Sequence, residues 1–208
     1  MGQRLNIEIK RKSDNKILAN AYYHWSAFTM PSLTLANDIL GNVWSTFRGN
    51  EDKSDTFKAI QLLQSTGAGL LEEEYDKLSK EEQKYAKVSL DRNVGLIAFT
   101  EKNMEENRQW EEARLTVIVD FEEKNSIIRD NKVDFDVIYA ITMEEIKTYY
   151  KTELENGEID LENDIVDLNI DFKNMSSKDI TYFMSKIPMI ENNIGIFKNN
   201  GKLYQIIC

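Results

Sequence analysis

Between residues 4 and 26 the chain alternates apolar and polar positions with a period of two, broken once by turn-forming residues. Leu5, Ile7 and Ile9 alternate with Asn6, Glu8 and Lys10. Ser13-Asp14-Asn15-Lys16 follows as a turn signal, and Ile17 to Ser26 returns as a second alternating run. A period of two is the signature of a half-buried strand, so residues 4–26 read as a β-hairpin. The returning strand sorts its side chains onto two unlike faces. Ala21, Tyr23 and Trp25 lie on one, small and aromatic, as a core requires. Asn20, Tyr22, His24 and Ser26 lie on the other, a row of hydrogen-bonding groups that holds the only histidine of the chain. Such a row can orient a polar ligand, and His24 is placed to act as a general base. It equally suits a structural strand whose polar face meets water or a helix.

The spacing then changes. After Pro31, which fits the first turn of a helix, Leu33, Ala36, Leu40, Val43 and Phe47 recur at three and four residues, with Ile39 and Trp44 widening the stripe. This predicts an amphipathic helix to about residue 48, packed on a sheet. Ser54 or Asp55 caps a second helix carrying Phe57, Ile60 and Leu63. Gly67-Ala68-Gly69 interrupts, and the charged stretch 70–88 reads as two short helices or one bent one, with Ser79 and Glu82 in capping-box spacing. Strand signals dominate afterwards: Val94 to Phe99, Leu115 to Phe121, Val133 to Tyr139 and Ile165 to Phe172. Thr100 caps a short helix, Met143 to Tyr150 form another, and Ser176 or Ser177 starts one ending near Lys186. Asn199-Asn200-Gly201 between Ile194–Phe197 and Leu203–Ile207 marks a terminal hairpin. Regular strand–helix–strand alternation is absent. The expectation is an α+β fold, a single domain over 1–208, with a mixed or antiparallel sheet packed by amphipathic helices.

Composition narrows the function. Among 208 residues, 36 are acidic and 26 basic, for a net charge of −10. Residues 1–50 carry +3 and the remainder −13. That balance disfavours direct nucleic-acid binding, which needs an excess of Lys and Arg to neutralise phosphates. Such asymmetry steers association with a basic partner, and acidic surfaces also simply keep a protein soluble. Cys208 is the only cysteine, so no intrachain disulfide forms, and the cytoplasm is the expected location. No apolar run reaches the roughly 18 residues of a membrane helix. One His and one Cys leave no zinc ligand set of the usual kind. Asp160, Glu162, Asp164 and Asp171 have Ile165 where a calcium loop needs glycine. Gly67-Ala68-Gly69 lacks the Lys and Ser or Thr of a phosphate loop. No metal and no cofactor is expected.

Two further segments are candidates. Asp160, Glu162, Asp164 and Asp167 belong to a long acidic tract whose carboxylates could occupy a basic groove, or form a solvated edge that discourages strand pairing. Arg92, in Asp91-Arg92-Asn93-Val94-Gly95, sits where the chain enters a buried strand and faces either a pocket or a turn.

Met1-Gly2-Gln3-Arg4-Leu5-Asn6-Ile7, Ala19-Asn20-Ala21-Tyr22-Tyr23-His24-Trp25-Ser26-Ala27 and Arg92-Asn93-Val94-Gly95-Leu96-Ile97 together resemble a loosely characterised group of proteins carried by phages and mobile elements of low-GC Gram-positive bacteria. Small acidic accessory proteins of that kind are often similar to inhibitors of host defence, including anti-CRISPR proteins. With the −13 charge of residues 51–208, the reading put first is a binding protein, enzymatic activity being left open. Its partner would be a host defence protein with a basic, nucleic-acid-binding surface, engaged through Asp160, Glu162, Asp164 and Asp167. A different reading takes Asn20, Tyr22, His24, Ser26 and Arg92 as the lining of a site that binds or hydrolyses a nucleotide-like small molecule. A phage structural or assembly role is the third.

Overall fold

The two alternating runs pair as an antiparallel hairpin, β1 (Leu5–Arg11) and β2 (Ile17–Tyr23), with Ile7 opposite Ala21. This architecture comes from a computed structural model, which describes residues 4–24, 26, 29–91, 94–122, 130–137, 144, 147–148, 150–160, 165–167, 172–186, 193–199 and 202–207. The turn is tied by Arg11, whose guanidinium donates to Asp14 and Asp55 and whose amide donates to the Lys16 carbonyl. Asn15 takes a positive φ of 59°, as asparagine tolerates in turns.

The hairpin is the centre of a six-stranded sheet. β3 (Gly69–Leu70), β4 (Leu96–Ala98), β5 (Ala113–Val119) and β6 (Lys132–Val137) complete it in the order β3-β4-β2-β1-β5-β6. β1–β5 and β3–β4 are parallel and the other pairs antiparallel, so the sheet is mixed. Alternation sends Leu5, Ile7, Ile9, Ala19, Ala21, Tyr23, Ala113, Leu115 and Val117 to one face, all buried. Two helices contact these strands, α1 (Thr29–Gly49) and α2 (Asp55–Gln64). They bury Leu33, Ala36, Ile39, Val43 and Phe47 from α1 and Phe57, Ile60 and Leu63 from α2. Ser54 is the N-cap of α2: its Oγ accepts from the Phe57 amide at 3.1 Å. The α+β class with helices packed on a mixed sheet is therefore what the chain adopts.

The stretch 70–88 departs from its helical composition. It holds the edge strand β3, one helical turn, α3 (Glu72–Tyr75), and a 3-10 turn at Glu82–Lys84. Glu74 is drawn fully inside, where it ties the segment to the next helix, α4 (Glu101–Arg108). The Ser79–Glu82 capping box does form, reciprocally, but it opens the 3-10 turn rather than a long helix. Gly67, at φ +89°, is the break after α2.

The chain divides into two compact units. The first is Met1–Ile138 with Phe172–Thr181 and contains the six-stranded sheet. Phe172 and Phe135 meet edge to face in it. The second is Tyr139–Asp171 with Tyr182–Cys208. It contains α5 (Lys151–Glu155) and a three-stranded sheet of β7 (Ile165–Asp167), β9 (Lys202–Ile207) and β8 (Asn193–Asn199), in that order. β8 and β9 form the terminal hairpin expected from Asn200-Gly201. The helix α6 (Ser177–Lys186) runs from the first unit into the second and begins with Ser176 Oγ accepting from the Asp179 amide. The expected helix over Met143–Tyr150 falls largely outside the described residues.

Tyr23 links the sheet to α2 through its hydroxyl, which bonds Thr66 Oγ1, itself a donor to the Leu63 carbonyl. Burial pushes the Tyr23 phenol up to about 12, with the Thr66 bond acting the other way. Between the ordinary value near 10 and about 12, the folded chain keeps a proton that the unfolded chain has lost. Stability is therefore intact below that window and falls as pH rises through it, by roughly 2–3 kcal/mol from this group. Urea unfolding across that alkaline range should show the fall in the native chain and a shallower one in Tyr23→Phe.

Candidate functional site

The second face of the sheet is polar and largely buried. Asn6, Glu8, Asn20, Tyr22 and Thr116 lie on it, each at most 9% exposed. Burying such groups is costly unless they are bonded, and most are. Asn20 Nδ2 donates to the Met104 carbonyl at 2.9 Å, and Asn20 Oδ1 accepts from Asn107 Nδ2 at 3.0 Å. Glu8 accepts from Arg108 Nε at 2.5 Å. Asn6 Nδ2 donates to Glu111, which also pairs with Arg114 and, through that hydrogen bond, raises the guanidinium above its ordinary value. Asn6 Oδ1 is buried without a hydrogen-bond partner among the described residues.

This places the strand-face candidates one by one. Asn20 uses both ends of its amide to hold α4 against β2. Tyr22 is buried, and its hydroxyl shares a 3.1 Å hydrogen bond with His24 Nδ1. His24 is half-buried, its ring edge-on to Tyr22. Ser26 is half-buried and its carbonyl accepts from Ser32 Oγ. Arg92 lies outside the described residues, as do Glu162 and Asp164. Asp160 is exposed after α5, and Asp167 ends β7. The structure thus joins Tyr22 with His24 and turns Asn20 toward α4.

An acidic surface appears instead beside α3 and α4. Glu72, Glu73, Asp76, Glu101 and Glu105 are exposed and make no side-chain hydrogen bond or ion pair among the described residues. The two lysines among them are already engaged, Lys77 with Glu74 and Lys102 with Glu106. The elements that carry these groups are bound together. Glu74 accepts from the amides of Phe99 and Thr100 and from Asn103 Nδ2. The Thr100 hydroxyl also goes to Glu74, so Thr100 stands at the N-cap of α4 without capping it through its side chain.

A cleft of about 680 Å³ opens next to this surface. On its β2 side the short β4 pairs with Asn20–Tyr22 alone before the chain turns away into α4. Ile17 and Leu18 are left beside a notch in the sheet, between the start of α2 and α4. Leu18, Phe57 and Met104 floor the cleft, all buried. Lys16, Glu82, Glu101 and Glu105 stand around it. Lys77 and Arg108 also line it, but each is paired with a buried carboxylate, Glu74 and Glu8. Helical spacing alone sets Glu101, Glu105, Arg108 and Glu112 on one wet face. It could not show that Arg108 reaches back to Glu8 on β1, or that Met104 reaches a cleft.

Among the described residues, no group of three or more His, Cys, Asp or Glu side chains could hold a metal, and no helix is long and apolar enough to cross a membrane. Comparison with protein-family profiles, characterised proteins and solved structures found no match.

Proposed function

We propose that this chain is a binding protein whose acidic surface engages a basic, nucleic-acid-binding face of a partner, in the role of an accessory inhibitor of a host defence factor. The observation that carries the binding role is the set of five exposed carboxylates on α3 and α4 and the adjoining loop that have no partner among the described residues. Carboxylates without partners among the described residues have no internal ion pair to break before they meet lysines and arginines of another molecule. They also raise the rate of encounter with it. The buried acids behave oppositely: Glu8, Glu74 and Glu111 all hold the fold. The class of partner comes from the resemblance to phage and mobile-element proteins. Asp160, exposed in the second unit, belongs to the same proposal with Glu162, Asp164 and Asp167.

Affinity capture from a host lysate, read by mass spectrometry at low and raised salt, tests the reading. A basic nucleic-acid-binding protein should be retained at low salt and released as salt rises. Glu72→Lys with Glu73→Lys should weaken its capture about tenfold and flatten the salt dependence. Reversing Asp160, Glu162, Asp164 and Asp167 measures the share of the second acidic segment. Capture unchanged in both variants would remove the acidic surface from the function.

A further inference from the structure

We infer that the cleft between the start of α2 and α4 is a receptor for a lysine or arginine side chain, with an apolar neighbour, from a basic segment of a partner protein. The inference rests on the acidic-surface reading and gives it a specific seat. Charge sets the sign of the occupant. The pairs Lys77–Glu74 and Arg108–Glu8 cancel internally. What remains is Lys16 against Glu82, Glu101 and Glu105, and neither Glu101 nor Glu105 has a partner among the described residues. The cleft is therefore net negative and takes a cation.

The floor sets the shape of the occupant. Half-buried Ile17, Leu78 and Phe99 line the cleft together with buried Leu18, Phe57 and Met104, so much of its lining is apolar. A small inorganic cation would leave that surface wet. Lysine and arginine side chains match it, because their methylene stems lie on apolar surface while the charge stays at the rim. Methionine adapts its shape to whatever stem enters. The volume of about 680 Å³ exceeds one side chain and leaves room for an apolar neighbour.

The experiment is a titration of the ¹⁵N-labelled full chain with three synthetic peptides of equal length: arginine alternating with leucine, arginine with serine, and glutamate with leucine. Spermine is a fourth arm. The arginine–leucine peptide should shift the amides of Ile17, Leu18, Thr56 and Met104 and bind most tightly. Glu101→Lys with Glu105→Lys should weaken it at least about tenfold, whereas Asp38→Lys with Glu51→Lys, an equal charge change at residues that do not line the cleft, should weaken it less than about threefold. Met104→Trp should block binding at unchanged charge, and if that variant fails to fold the charge pairs still decide. Shifts mapping elsewhere, equal losses from both charge pairs, or spermine binding as well as the peptide would overturn the inference. Should Glu72→Lys with Glu73→Lys weaken peptide binding while Glu101→Lys with Glu105→Lys does not, the cleft falls and the acidic surface stands. Should no reversal matter, both fall.

Discussion

A Glu74→Ala chain should lose roughly 3–5 kcal/mol of folding stability, because several donors inside the protein are left without an acceptor at about 1–3 kcal/mol each. Glu74 is 0% exposed. Its two oxygens gather the amides of Phe99 and Thr100, the hydroxyl of Thr100, the amide group of Asn103 and the Lys77 ammonium. Alanine leaves several of these donors inside the protein without an acceptor, and an unmade buried hydrogen bond costs more than a made one contributes. Three pieces lose their common anchor at once: α3, the end of β4 and the first turn of α4. Urea unfolding measures the loss. Glu74→Gln separates charge from shape. It keeps one acceptor oxygen but turns an NH2 toward donors, so it should fall between the native chain and the alanine variant. A loss of under about 1 kcal/mol in Glu74→Ala would refute the anchoring role. The same substitution frees Lys77 beside the cleft, so a folded fraction of this variant should bind basic peptides less well.

The second large effect is expected at Gly95. Its φ is +99°, a conformation that residues with a Cβ rarely adopt. A Cβ placed there would stand 2.6 Å from Tyr23 Cε1 and 2.8 Å from the Ala68 Cβ. Gly95→Ala therefore carries two costs. The backbone term is roughly 1–2 kcal/mol, and overpacking against a buried ring adds about 1–3 kcal/mol. Thermal unfolding should drop by roughly 2–4 °C for each kcal/mol. Tyr23→Ala in the same chain removes the ring and should recover part of the clash but not the backbone term. The double-mutant comparison thus tests both causes together. An unchanged midpoint in Gly95→Ala would sink the assignment. This glycine also explains the Val94-Gly95-Leu96-Ile97 segment: the chain crosses over Tyr23 there to enter β4.

Local signals carried the sequence reading wherever one residue or one period decides the structure. The alternation of Leu5, Ile7 and Ile9, the stripe of Leu33, Ala36, Val43 and Phe47, the Ser54 cap and the Asn200-Gly201 turn all lead to elements that form. Non-local choices left no such mark. Nothing in β1 or β5 taken singly says that they pair in parallel. The stretch 70–88 has helical composition, yet burial of one glutamate and pairing of Leu70 with Ile97 outweigh propensity. The polar strand face was legible as a face. Its burial was not, because α4 is what covers it and the link runs through Asn20 and Met104, 84 residues apart. The cleft was not legible at all, since residues far apart in the chain line it.

The place of the hairpin in the sheet has a kinetic consequence. β1 and β2 are joined by a short turn, so they meet quickly, within the microseconds of hairpin closure. Their outer edges then wait. β2 receives β4 only when Tyr22 finds Leu96, and β1 receives β5 only when Leu5 finds Ala113. Until those distant segments arrive, both edges of an apolar-faced ribbon are open to any other extended chain. A partly folded molecule of this kind is prone to pair with its own copies, so refolding yield should fall as protein concentration rises. The strands that hold the mature sheet together are thus its chief hazard while it assembles.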